Sequence, residues 1–132
     1  MTPQHDDRRR HTRYPFTAEV KMAVLVPDQT FTPMDIGGHV IDLSTGGLRI
    51  KSRDISKQLY LDLLKDLHYA KIEVDFPGFS DPFQAKTSIV WLDFHDPTTS
   101  ERAYCLVGLR FELFYGRSEA LLQRVIKEQT SL

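Results

Sequence analysis

The sequence predicts a mainly β fold, a small antiparallel barrel or sandwich of about six strands with one inserted helix and one terminal helix. Three observations lead there. Residues from Phe16 onward alternate strictly between apolar and polar, short turn signals separate several further alternating runs, and helical spacing of apolar residues occurs only over 54–67 and from about Ser118. With 132 residues, 41% of them apolar and 27% charged, the chain is expected to form one ordinary globular domain, not a disordered or low-complexity protein.

Each element has its own signal. Residues 1–12 hold Pro3, His5, two aspartates and three arginines with almost nothing to bury, so they are expected to form a flexible arm ahead of a single domain over 13–132. The first strand places Phe16, Ala18, Val20, Met22, Val24 and Val26 on one face and Thr17, Glu19 and Lys21 on the other, ending at Pro27-Asp28. A second strand is expected over Met34–Leu43, broken or bulged at Gly37-Gly38, and a third over Gly47–Lys51. Between them Ser44-Thr45-Gly46-Gly47 signals a tight turn, with glycine supplying positive φ, so these strands should form an antiparallel hairpin.

The period then changes. Ile55, Leu59, Leu63 and Leu67 recur every fourth residue behind Asp54 or Ser56 as N-cap, predicting a helix of about three turns whose apolar side Leu61 and Leu64 widen. Strand character returns at Lys71–Phe76, Phe83–Asp93 and Tyr104–Leu113, divided by Pro77-Gly78 and Asp96-Pro97. The stripe Leu121, Leu122, Val125 and Ile126 predicts the closing helix.

Charge is distributed unevenly. The net charge is −1, yet Arg8, Arg9, Arg10 and Arg13 fall within six residues that contain no acid, leaving −5 for the rest. A broad nucleic-acid-binding face would spread its basic residues and raise the pI, so a small anion suits this segment better and nucleic acid is not the expected partner. A single cysteine, Cys105, forbids an internal disulfide and reads as a buried reduced thiol; with no apolar segment of spanning length and no secretory signal, a cytoplasmic location is expected.

Two clusters bracket the first strand: Arg9 and Arg13 in an RxxxR spacing, and Asp42, Ser44 and Gly47 in a DxSxxG spacing. A long strand followed by its return strand can set the hairpin turn beside the chain entering the first strand, so an arginine arm would hang over a rigid polar turn. Guanidinium forks match phosphate and the acceptor edge of guanine and stack on rings. A carboxylate accepts from the guanine amino and imino groups, a serine hydroxyl donates, and glycine permits close backbone approach. Together they favour a ligand carrying both guanine and phosphate.

RxxxR, then 28 intervening residues, then DxSxxG, then Gly108-Leu109-Arg110-Phe111 and a terminal helix resembles the PilZ domain family over nearly the whole chain. The resemblance implies a six-stranded antiparallel β-barrel, no enzymatic activity, no cofactor, and cyclic di-GMP as ligand. It also implies a ligand site of Arg8, Arg9, Arg13, Asp42, Ser44, Gly46 and Gly47, with the basic Arg8 leaning towards an intercalated ligand dimer. The ligand would clamp the arginine arm onto the barrel and alter the surface offered to an unknown downstream protein. A ligand-independent adaptor of the same fold is the alternative. One departure is the inserted helix, longer than the loop expected after the third strand of a plain PilZ barrel.

Other residues carry plainer readings. His39, His68 and His95 are too scattered for a metal site, and Trp91, alternating with Ile89, is expected in the core. Ser44 lacks a nucleophile-elbow motif and a following helix, so no catalytic residue is assigned.

Overall fold

A computed structural model describes residues 12–25, 34–65, 68–96 and 102–130. It contains β1 (Tyr14–Leu25), β2 (Met34–Leu43), β3 (Gly47–Ser52), α1 (Lys57–Leu63), β4 (Tyr69–Asp75), β5 (Phe83–His95), β6 (Tyr104–Phe114) and α2 (Ser118–Thr130). The strands close into a barrel in the order β1-β2-β3-β6-β5-β4, with every pair antiparallel and β4 returning to β1. Closure removes unpaired sheet edges and settles the choice between barrel and sandwich.

The alternation read from the sequence is what fills the interior. Ala18, Val20, Met22 and Val24 of β1, Ile72 and Val74 of β4, and Leu48 and Ile50 of β3 are buried, while Glu19 and Lys21 face outward. Phe83 lies among Phe76, Phe111 and Phe114, with ring centroids 5.4 to 6.0 Å away. Leu121, Leu122 and Val125 bring α2 into the same core. The helix is tied to the start of β5, where Gln84 donates its N–H to Ser118 Oγ at 2.8 Å and its carbonyl accepts from Tyr115 N at 3.0 Å.

Several expectations are corrected. The inserted helix is shorter than 54–67, because Asp54 and Ile55 are committed elsewhere: Asp54 Oδ2 accepts the Gly37 N–H at 2.8 Å, its own N–H donates to Ser52 Oγ, and Ile55 is buried. Ser56 is the N-cap, accepting from Leu59 N at 3.1 Å, and Leu64 is the C-cap; Leu67 lies outside the described residues. Leu63 packs inward, whereas Leu61 and Leu64 stay exposed, since one turn-spaced face is all that β5 covers. β2 runs unbroken through Gly37 and Gly38, which pair with Lys21 and Val20. Glycine serves close approach there: a Cβ on Gly38 would sit 2.7 Å from the Lys51 carbonyl oxygen. The irregularities fall instead between Pro15 and Ala18 and between Val40 and Asp42.

Candidate ligand-binding site

The β1–β2 register sets Tyr14 opposite Leu43 and Pro15 opposite Asp42, so the residue entering β1, Arg13, reaches the end of β2. In the hairpin Leu43 pairs with Leu48 and Asp42 with Arg49. Cross-strand partners share a face, and Arg49 lies between the buried Leu48 and Ile50, so Asp42 faces outward beneath two arginines. The irregularity beside Ile41 makes this possible by resetting the alternation of β2, leaving Ile41 exposed and Asp42 only 5% exposed.

Asp42 is the electrostatic centre. Arg13 Nε donates to Oδ1 at 2.8 Å, and Arg49 Nε donates to Oδ2 at 2.8 Å and to Oδ1 at 3.0 Å. Arg49 also reaches Oδ2 through its Nη2. Burial alone pushes the carboxyl up, but the hydrogen bonds from Arg49 and then Arg13 outweigh it and hold Asp42 below the ordinary carboxylate value. The same pairing raises the Arg49 guanidinium above its usual range.

The turn beside it is closed on itself. Ser44 N donates to the Gly47 carbonyl at 2.8 Å, and the buried Ser44 Oγ accepts from both Gly46 N and Gly47 N at 3.2 Å. The Gly46 carbonyl accepts the Phe111 N–H at 2.9 Å, fastening the turn to β6. Neither Gly46 nor Gly47 takes a positive φ; that conformation belongs to Gly78 and Gly116. Gly47 is needed for another reason, since a Cβ there would lie 2.0 Å from the Leu109 carbonyl oxygen.

Arg13, Asp42, Ser44, Gly46 and Gly47 are thus brought together, while Arg8, Arg9 and all of the 1–12 arm but Thr12 lie outside the described residues. A groove of about 880 Å³ opens over the turn, lined by Arg13, Ser44, Arg49, Trp91, Arg110 and Phe111 among others. Four of these, Arg49, Trp91, Arg110 and Phe111, lie outside the site expected from the sequence. Arg49 could have been found, because a hairpin closed by Ser44 and Gly47 places it directly opposite Asp42. Trp91 could not: an irregularity between Ile89 and Trp91 breaks the alternation, and both Val90 and Trp91 face outward, Trp91 being 40% exposed instead of in the core. Its indole lies along Gly108, whose absent Cβ would meet Nε1 at 2.2 Å. Arg110, paired with Glu112 at 2.9 Å, is a further guanidinium on the groove wall.

Burial pushes the Cys105 thiol up to about 11, which keeps it protonated and unreactive near neutral pH. His95 Nε2 contacts Asp93 Oδ2 at 2.9 Å, and among the described residues no three His, Cys, Asp or Glu side chains gather as metal ligands.

A family model for the PilZ domain matches residues 7–128. The chain belongs to the PilZ domain family. Among solved structures, the chain is similar to one described as the PilZ domain with c-di-GMP of YcgR from Escherichia coli, with a TM-score of 0.63 at 17% identity over 94% of this chain and 92% of the other. It is also similar to the Bacillus subtilis inhibitor of motility MotI/DgrA, with a TM-score of 0.55 at 21% identity; this PilZ chain covers 52% of that one, with 94% of its own length aligned. At these identities the likeness is one of fold. No curated protein gives a significant match.

Proposed function

We propose that this PilZ protein is a cytoplasmic, non-enzymatic receptor and adaptor for cyclic di-GMP. The observation that carries the reading is the meeting of Arg13, ahead of β1, with Asp42, at the end of β2, beside a groove that Arg13, Arg49 and the Ser44–Gly47 turn line. The roles follow from the donors and acceptors. Asp42 accepts the guanine imino and amino protons, the arginines take the phosphates and the guanine acceptor edge, Trp91 offers a ring face, and the Ser44–Gly47 turn is the rigid floor. Arg8 and Arg9 would join from the arm over 1–12, clamping it onto the domain over 13–132 around one ligand or an intercalated pair. A downstream protein would read the altered surface.

One observation favours a ligand-independent adaptor instead: Asp42 and Ser44 already have all their polar partners within the protein. Calorimetry separates the readings. Cyclic di-GMP should give saturable heat at micromolar protein, with affinity falling as salt rises, a stoichiometry near two for the pair, and a loss of roughly tenfold or more in Arg13→Ala, since a charge-assisted hydrogen bond is worth about 1.5–3 kcal/mol. No saturation would return the protein to the adaptor reading, and binding indifferent to Arg13→Ala would place the ligand elsewhere on the molecule.

A further inference from the structure

Arg49 lies outside both sequence motifs, yet it makes three of the four contacts that fill the Asp42 carboxylate. A carboxylate offers about four lone-pair positions, and here Oδ1 receives Arg13 Nε and Arg49 Nε while Oδ2 receives Arg49 Nε and Nη2. A guanine edge needs two acceptors side by side. With Asp42 this enclosed, the edge can reach them only by evicting a guanidinium, and Arg49 holds both oxygens where Arg13 holds one.

Arg49 is also placed to leave. Its side chain is 43% exposed, against 36% for Arg13 and 7% for Asp42, and it lines the same groove. It sits on β3, beside the rigid turn, so a side-chain rotation suffices and the barrel hydrogen bonds are untouched. The planar fork it would free is the shape that suits a phosphodiester oxygen pair.

We propose that Arg49 is a positioning residue that serves as the resident counter-ion of Asp42, is displaced by the ligand's guanine edge during binding, and then turns its fork to the ligand's phosphate. This rests on the cyclic di-GMP reading and adds a gate to it. The gate costs association speed and returns the same guanidinium to the bound state, so it acts on rates more than on equilibrium affinity.

Arg49→Lys is the test, because it keeps the charge that steers an anionic ligand but replaces the two-pronged fork with a single ammonium. Stopped-flow binding of cyclic di-GMP, followed by the fluorescence of the chain's one tryptophan, Trp91, should show association and dissociation both at least threefold faster than in the unaltered protein. In parallel, the side-chain Nε–H resonance of Arg49 should leave its carboxylate-bonded position at saturating ligand. Binding with an unchanged or slower association rate in Arg49→Lys, or an Arg49 resonance that stays in place at saturation, overturns the exchange and leaves the receptor reading standing. Absence of any saturable heat from the unaltered protein removes the receptor reading, and the exchange falls with it. A cooperative melt of Arg49→Lys that lies well above the measuring temperature confirms that rates are compared between folded proteins.

Discussion

Asp42 is 5% exposed, and a carboxylate withdrawn that far from water stays ionised only where positive groups face it. Arg49 and Arg13 do so from two different strand ends, which makes the residue a joint between β1, β2 and β3 as well as a ligand contact. Because its carboxyl is held below the ordinary value of 3.8, the pairing stabilises the folded state above that pH and loses its effect as pH falls through the lowered folded value. Asp42→Asn should therefore cost about 1–3 kcal/mol at neutral pH. Urea melts should show that difference constant from neutrality down to roughly pH 4 and shrinking below it. A gap between the two proteins that persists undiminished into strong acid would contradict the assignment. Asp42 and Arg13 were legible as residues in their motifs. The third partner, Arg49, was written in the sequence as one polar position of an alternating strand, and only the hairpin register gives it a role.

At the scale of elements, the site is made by strand irregularities and by glycines that let backbones approach. The shift beside Ile41 turns Asp42 to the outer face beneath Arg13 and Arg49, and the shift after Ile89 turns Val90 and Trp91 outward to form the groove wall. Gly47 and Gly108 sit under these features for different reasons, and the difference is testable. A methyl at Gly47 would press on the Leu109 carbonyl, which is backbone and cannot yield without parting β3 from β6, so Gly47→Ala should destabilise by about 2–4 kcal/mol in denaturant melts. A methyl at Gly108 would press on the Trp91 indole, which can swing away. Gly108→Ala should cost less, about 1 kcal/mol, but red-shift the tryptophan emission and weaken ligand binding. Equal losses of stability in the two variants would show that the barrel wall, and not the indole, carries the strain at both positions. The shorter α1 belongs to this scale too: the spacing of Ile55, Leu59 and Leu63 does mark an inward face, but the side chain and backbone of Asp54 are held by Gly37 and Ser52, and a helix cannot begin until Ser56 caps it.

The barrel as a whole is a rigid frame for one polar corner. Its six strands close without a free edge, the core runs from β1 to α2, and among the described residues no helix is long and apolar enough to cross a membrane. Such a frame can change little in shape, so a bound ligand should register chiefly as added stability and as a new surface around the groove. At a cyclic di-GMP concentration a hundredfold above the dissociation constant the stabilisation should be about 2.7 kcal/mol, a rise in melting temperature of roughly 10 °C. Arg13→Ala should abolish most of that rise, measured by differential scanning fluorimetry at equal ligand concentration. A rise of the same size in the variant would place the ligand elsewhere on the molecule.

By itself the sequence determined the strand faces, the hairpin, the two helices and the motif residues, because period-two and period-four burial, turn chemistry and residue spacing are local properties. The tertiary structure decided closure into a barrel, the outward turn of Trp91, and the convergence of Arg13 on Asp42. Those depend on register. A shift of one residue at a bulge reverses which side a chain faces, and the energy that fixes the shift comes from contacts between strands far apart in sequence.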